Sequence, residues 1–332
     1  MIELQDLQIC YGSVEVVPRL NLTINQGEFF TLLGPSGCGK TTVLRAIAGF
    51  VPAASGRILI NGKDETKSSA EARDVGIVFQ NYALFAHMSV FENVAFGLRV
   101  ARKRNSEIKT AVDRMLEATG ILEHRDKKPD ALSGGQQQRV AIARSLVMGT
   151  QVLLFDEPLS NLDAKVRETM RHEIKRLQRE LGFTSVFVTH DQEEALSMSD
   201  RLLVLNGGKV EQIGTARELY SSPQTPFVCQ FIGASNQLGE KTQDLLGLQN
   251  SARAFIRPEH VTIQDPGTSG GIPATILDID YVGPTTKVTL SVKGENITSL
   301  ALSSDIREGL RVGAQVAIQC DRDQIMRFGT AK

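Results

Sequence analysis

The chain lacks several features that would place it at once in a familiar class. It has no excess of basic residues, because 37 Lys and Arg stand against 38 Asp and Glu. That balance disfavours a protein that grips nucleic-acid phosphates over a broad face. No apolar run approaches the roughly 20 residues that cross a bilayer. The first residues hold no basic stretch followed by an apolar one, so we expect no signal peptide. A role at a membrane would therefore need a partner that spans it.

Cysteine is scarce as well, and the cysteines present are far apart. They are Cys10, Cys38, Cys229 and Cys320. None lies close enough to another to form a zinc knuckle or a Cys-x-x-Cys redox pair. Their spacing does not indicate a disulfide framework either. We therefore expect a reducing, cytoplasmic compartment.

The length of the chain and a change in its sequence pattern predict two domains. A chain of 332 residues with 41% hydrophobic and 23% charged residues is typical of a globular protein with more than one core. Residues 1–235 alternate strands and helices, and continuous apolar runs such as Val152 to Phe155 predict strands covered on both faces. Residues from about 82 to 150 interrupt this alternation with helices, either as a helical subdomain or as a solvated excursion. Residues 236–332 read as short strands separated by Gly and Pro, which predicts a small all-β unit.

A glycine-rich motif carries the clearest chemistry. It reads Gly34-Pro35-Ser36-Gly37-Cys38-Gly39-Lys40-Thr41 and is followed by Thr42. It lies between an apolar strand and a helix-like run, which is the context that a phosphate-binding P-loop requires. Glycines let backbone N–H groups turn towards a phosphate, and the helix start adds positive potential. We expect Lys40 to reach the β- and γ-phosphates and the Thr41 hydroxyl to bind Mg²⁺.

Two carboxylates follow a second apolar strand. Asp156 and Glu157 come directly after Val152 to Phe155. Two adjacent acids most often lie in a solvated loop. Beyond a buried strand, in a chain with a P-loop, Asp156 is instead placed to hold Mg²⁺ and Glu157 to polarise an attacking water.

A second candidate anion site occurs at residues 133–136, which read Ser133-Gly134-Gly135-Gln136. Ser133 stands where a helix N-cap belongs, and the simplest interpretation is a capped helix. The motif also places a hydroxyl and bare N–H groups at a positive helix end. One nucleotide does not need two such sites in one chain.

The order of these motifs resembles that of the ATP-binding-cassette family. The resemblance rests on the P-loop, Ser-Gly-Gly-Gln, Asp156-Glu157 and a later His190, and it covers about residues 1–235. The stretch Phe255 to Val261 is similar to the C-terminal TOBE-type β-barrel of bacterial import ATPases. The fold implied is an α/β P-loop NTPase core with an inserted helical subdomain, followed by a small all-β, OB-like barrel.

The resemblance also implies roles for further residues. Gln80 would contact Mg²⁺ or the lytic water, and His190 would orient the γ-phosphate and that water. Asp163 would cross the interface between two protomers, although Asn161 nearby departs from the commoner small residue. Tyr11 would stack on adenine. Each has a plainer alternative: Tyr11 as an edge-strand aromatic, His190 as a packed histidine and Asp163 as a helix cap.

The same resemblance implies partners and a location. Ser133 and Gly135 would contact the γ-phosphate of ATP held by the other protomer of a head-to-tail homodimer. Two membrane-spanning permease subunits would bind the dimer, and an extracytoplasmic solute-binding protein would deliver cargo. The chain would lie peripherally at the cytoplasmic face of the inner membrane, with ATP and Mg²⁺ as cofactors and no nucleic-acid partner.

Three alternatives remain open at this stage. A soluble cassette ATPase acting on DNA or ribosomes commonly carries coiled-coil insertions, zinc cysteines or two cassettes, none of which is visible. A non-hydrolysing regulator conflicts with intact Lys40, Glu157 and His190. An exporter subunit is disfavoured by the β-rich C-terminal part. Cys38 is expected to be a tolerated small residue, although the nearby helix start could lower its pKa and make it oxidisable.

Overall fold

The computed structural model describes residues 1–248, 253–305 and 310–329. Contacts divide the chain into two compact units, the first being Met1–Ala216 and the second beginning at Arg217. Among the described residues, no helix combines the length and the apolar character that crossing a bilayer requires.

Strands of the first unit form two sheets. The strands are β1 (Ile2–Tyr11), β2 (Val14–Ile24), β3 (Phe29–Leu33), β4 (Ser55–Ile60), β5 (Lys63–Asp64), β6 (Val75–Val78), β7 (Val152–Asp156), β8 (Thr184–Thr189), β9 (Arg201–Asn206) and β10 (Lys209–Gly214). An antiparallel sheet has the order β2-β1-β4-β5, and a larger sheet has the order β10-β9-β3-β8-β7-β6. In the larger sheet, β9, β3, β8, β7 and β6 run parallel.

The parallel strands are buried as their apolar runs predict. Every residue of β3, β7 and β8 is buried. Parallel strands covered on both faces end at a common edge, so the loops after β3, β7 and β8 can meet there.

Helices flank and interrupt this sheet. They are α1 (Lys40–Ala48), α2 (Val90–Val100), α3 (Asn105–Ala118), α4 (Gly134–Leu146), α5 (Ala164–Leu181) and α6 (Gln192–Met198). Asp163 is a helix cap, as its plainer interpretation has it: its carboxylate caps the start of α5, and Gly182 ends the helix in a left-handed conformation. Helices α2, α3 and α4 pack around a shared apolar cluster that includes Val94, Val112 and Val140.

The second unit is mainly antiparallel sheet. Its elements are α7 (Ala216–Ser221), α8 (Pro226–Phe231), β11 (Asn236–Leu238), α9 (Glu240–Leu245), β12 (Arg253–Ile256), β13 (Val261–Gln264), β14 (Ile272–Val282), β15 (Thr285–Val292), β16 (Glu295–Leu302), β17 (Gln315–Cys320) and β18 (Met326–Phe328). Among the described residues, one sheet has the order β11-β12-β18 and the other β13-β17-β14-β15-β16. The Asn236 amide donates to the Thr298 carbonyl at 2.7 Å and accepts from the Thr298 N–H at 2.8 Å, so one side chain satisfies the edge of β16 as a neighbouring strand would.

The boundary between the two units, after Ala216, lies earlier in the chain than the change in sequence pattern that the sequence analysis places between residues 235 and 236. One tie within the second unit is the buried side chain of Arg257. Its guanidinium donates to the carbonyls of Tyr220, Cys229 and Ala234 at 2.9–3.0 Å. These bonds link helices α7 and α8 to the β-rich part of the chain. The sequence of the two helices, by contrast, continues the strand and helix pattern of residues 1–235.

Candidate nucleotide site

The P-loop connects β3 to α1 in a conformation that depends on glycine. Gly37 and Gly39 have φ angles of +79° and +103°, which side-chain-bearing residues rarely adopt. A Cβ at Gly34 would lie 2.2 Å from the carbonyl oxygen of Leu205. Gly39 caps α1 without any side-chain hydrogen bond. The start of α1 is therefore left to the backbone, as a site for a phosphate requires.

Lys40 is buried at this helix start and its ammonium points back into the loop. Its Nζ donates to the carbonyls of Gly34 at 2.7 Å and Pro35 at 2.9 Å. Ser36 and Gly37 at the tip of the loop are exposed, and Thr42 follows on the first turn of α1. The loop thus holds a cation inside a ring of backbone groups, which is a suitable arrangement for receiving a polyphosphate.

A pair of hard oxygen atoms lies beside the loop. The Thr41 hydroxyl donates to Oδ1 of Asp156 at 3.0 Å. Asp156 is the last residue of β7 and is only 6% exposed, and Arg45 approaches its other oxygen at 3.5 Å. A hydroxyl and a carboxylate at this separation fit Mg²⁺, which prefers oxygen ligands and keeps several waters.

Glu157 and His190 meet at the carboxyl edge of the parallel sheet. Nδ1 of His190, after β8, lies 3.2 Å from Oε2 of Glu157. Because a carboxylate only accepts, the ring donates from Nδ1, and its Nε2 takes no part in this contact. Glu157 has a left-handed φ of +47°, and its N–H donates to the Val188 carbonyl. The strained backbone aims this carboxylate out of the strand.

The start of α4 is a self-satisfied cap. The Gln136 N–H donates to the Ser133 hydroxyl, and the Ser133 N–H donates to Oε1 of Gln136, which makes a capping box. A Cβ at Gly134 would lie 2.7 Å from Leu162, and one at Gly135 would lie 3.1 Å from Met170. The paired glycines therefore allow α4 to approach the segment before α5 and α5 itself.

Asn161 connects the loop that holds Gln80 to the segment that leads to Asp163 at the start of α5. The Asn161 amide donates to the Gln80 carbonyl at 3.0 Å. Asn161 thus has a structural use here, where the resemblance leads one to expect a smaller side chain. The side chains of Gln80 and Asp163 are exposed, and the Asp163 carboxylate caps α5. Among the described residues, no hydrogen bond or ion pair joins Ser133 or Gly135 to the P-loop.

Two arginines that the sequence analysis missed hold these segments in place. Arg144, on α4, donates to the carbonyls of Tyr82 and Ala83, both of which have left-handed φ angles. Arg167, on α5, donates to the Leu162 carbonyl and approaches Asp191, next to His190, at 3.5 Å. Burial lowers the pKa of the Arg144 guanidinium. Spacing alone does not reveal such contacts, because each arginine reaches a backbone carbonyl in another loop.

Tyr11 and Cys38 differ in their exposure to solvent. Tyr11 ends β1 and is 49% exposed, so its ring face is open to a ligand. Cys38 is 4% exposed, and burial raises the pKa of its thiol although Lys40 acts in the opposite direction. The alternative in which the helix start lowers this pKa is wrong, because desolvation outweighs the nearby positive charge.

Comparisons with known proteins agree with this architecture. The family model described as ABC transporter matches residues 17–160, and the model described as TOBE domain matches residues 254–328. A solved structure of cbiO1 from Clostridium perfringens, described as part of the ABC transporter complex cbiONQ, matches with a TM-score of 0.63 and 33% identity. That match covers 67% of this chain and 90% of the other.

Curated relatives match almost end to end. An uncharacterized ABC transporter ATP-binding protein, y4fO of Sinorhizobium fredii, is 51% identical over 96% of both chains. The spermidine/putrescine import ATP-binding protein PotA of Haemophilus ducreyi is 45% identical over 90% of this chain and 88% of its own. The sulfate/thiosulfate import ATP-binding protein CysA of Methylococcus capsulatus is 45% identical over 96% of this chain and 97% of its own.

Proposed function

Because the chain belongs to the ABC transporter family, as an import ATPase with a C-terminal TOBE domain, we propose that it works as a head-to-tail homodimer that drives solute uptake through two permease subunits. An extracytoplasmic solute-binding protein would supply the solute. The dimer would lie at the cytoplasmic face of the inner membrane, peripherally bound.

The observation that carries the dimer is the separation of two phosphate-facing helix starts. Gly39 begins α1 beside Lys40, whereas Ser133 begins α4 and contacts Gln136 rather than the P-loop. Ser133 is exposed, so a second chain can bring its own P-loop to it. Two chains related by a two-fold axis complete both sites at once, since the same surface is used by each partner.

The residues at the sheet edge fit MgATP. Thr41 and Asp156 supply oxygen atoms for Mg²⁺, and Lys40 can exchange its bonds to Gly34 and Pro35 for bonds to phosphate. Bound Mg²⁺ would neutralise charge on the phosphates. Glu157 would accept a proton from the attacking water, and His190, which donates from Nδ1 to Glu157, would keep that carboxylate in place.

An apolar patch on the helical segment supports a permease partner. Phe96 and Val100 on α2 are 37% and 69% exposed, and Met148, just after α4, is 45% exposed. The ring of Phe85 lies 4.7 Å from that of Phe96, and a Cβ at Gly97 would touch Met148. The patch is thus continuous, and Arg144 links it to the segment after Gln80 through Tyr82 and Ala83. Exposed apolar surface of this kind is typical of an interaction site.

The relatives also bear on the solute. Spermidine and putrescine are cations and sulfate and thiosulfate are anions, yet the two import proteins described above that are named for them are each 45% identical to this chain over at least 90% of its length. Selection of the solute therefore belongs to the partner subunits.

Mixing two inactive variants tests the composite site. Lys40→Ala removes the P-loop cation, and Ser133→Arg places a bulky cation at the start of α4. In a mixed dimer one site carries both changes and the other carries neither. We expect the mixture to release phosphate from ATP faster than either variant alone. Lys40→Ala mixed with a Lys40→Ala, Ser133→Arg double variant is the matched control, because no intact site can form. A mixture no more active than its components would contradict the composite site.

A further inference from the structure

The side chain of Gln136 is held from two directions. Its Oε1 accepts from the Ser133 N–H at 2.9 Å, as part of the capping box. Its Nε2 lies 2.9 Å from Nε2 of His124, at the end of the 3-10 turn Leu122–His124. The capping box fixes which end of the amide faces Ser133. The amide nitrogen must therefore be the end that faces the histidine.

This orientation determines which ring nitrogen of His124 carries a proton. The amide NH₂ of Gln136 can only donate, so Nε2 of His124 has to accept. The ring is then neutral with its proton on Nδ1. Nδ1 is buried and, among the described residues, has no hydrogen-bond partner.

Protonation of the ring would reverse this contact. A charged His124 carries protons on both nitrogens, so Nε2–H and the Gln136 NH₂ would face each other as two donors. A competing acceptor is already close, because Oε1 of Glu123 lies 3.4 Å from the same Nε2. His124, Ser133 and Gln136 line one groove, and its other charged groups are Arg139 on α4, which pairs with Glu173, and Lys165 on α5. Neutral His124 holds Gln136, whereas charged His124 would turn to Glu123.

We propose that His124 is a positioning residue for the ATPase reaction, which its neutral ring supports by fixing Gln136 and through it the cap at Ser133. The proposal rests on the proposed function, in which Ser133 contacts the γ-phosphate held by the partner. Loss of the His124 contact frees the Gln136 amide to rotate, and the Ser133 N–H then loses its acceptor. Protonation of His124 therefore slows hydrolysis by disordering one half of the composite site.

Three variants of the full chain test this role by ATP hydrolysis between about pH 6 and 8. His124→Gln offers an acceptor that stays neutral at every pH, and His124→Phe offers none. His172→Gln, on an exposed histidine of α5, is the matched control. We expect His124→Phe to lower kcat/KM at the upper pH roughly 3–10-fold, the size of one lost hydrogen bond. His124→Gln should keep the parent rate there and lose less of it on acidification, with unfolding midpoints unchanged. His190 is present in every variant, so the difference between profiles isolates His124.

A second readout does not depend on hydrolysis. Long-range proton–nitrogen NMR of the histidine rings reports which nitrogen of His124 is protonated. The proposal requires the proton on Nδ1 in the neutral ring, and a proton on Nε2 would overturn it whatever the ATPase rate. A His124→Phe variant with the parent's pH profile would overturn it as well. A parent chain without ATPase activity would count against the proposed function alone, because the NMR result stands by itself.

Discussion

The two helix starts that we propose to face phosphate in this molecule are built in opposite ways. Helix α1 begins at Gly39 with a φ of +103° and has no side-chain cap, so the backbone there is open to a ligand. Helix α4 begins at Ser133 in an extended conformation, with its hydroxyl and N–H both engaged by Gln136. The first leaves its backbone groups free for a ligand, whereas the second is held in a fixed geometry by its own cap. Nucleotide should therefore be captured at α1 and only then recruit α4 of a partner.

If hydrolysis is blocked, the dimer in which α1 of one chain and α4 of its partner hold the same ATP should accumulate. Glu157→Gln keeps the shape of the side chain and removes the charge that accepts a proton from water. We expect hydrolysis to fall by at least about 100-fold, as for loss of a general base. ATP binding should persist, and an ATP-bound dimer should accumulate on a sizing column. Parent-like turnover in this variant would mean that another group is the base.

Much of the site around the P-loop could be predicted from sequence, because its functional residues come directly after buried apolar strands. The apolar run Phe29 to Leu33 coincides with β3, and Asp156 ends β7 as the run before it indicates. Strand β2 was missed although Leu20, Leu22 and Ile24 are buried and alternate with exposed polar residues, a period-two signal that went unused. Its pairing with β1 shifts register at several points. The contact between His124 and Gln136 was missed because the two side chains meet only once the 3-10 turn and α4 have packed together.

Nucleotide binding to single chains tests whether the starts of α1 and α4 differ in this way. Lys40→Ala should weaken ATP binding, because the phosphates lose their buried ammonium partner. Ser133→Arg should leave binding near the parent value and lose hydrolysis, since α4 would serve only the partner's nucleotide. Titration with a fluorescent ATP analogue at low protein concentration separates these outcomes. Equal weakening by both variants would place Ser133 at the nucleotide of its own chain.

The smallest expected effect concerns the adenine end of the same site. Tyr11→Ala should weaken ATP binding by roughly 1–3 kcal/mol, if base stacking on aromatic side chains is a fair guide. Tyr11→Phe should retain the affinity, because stacking uses the ring face rather than the hydroxyl. The same titration measures both variants. If the phenylalanine variant binds as weakly as the alanine variant, the hydroxyl matters and the stacking role is wrong.

The side chain of Asn236 has a consequence for solubility. An exposed edge strand is a template on which another chain can add a strand, and such pairing leads to aggregation. At Thr298 both backbone groups of β16 are already bonded to Asn236, so an incoming strand would have to break two hydrogen bonds before it could form its own. At Thr298 the Asn236 amide thus blocks strand addition without adding charge or proline to β16 itself, and the 3-10 turn Pro258–His260 and β13 also pack beside this strand.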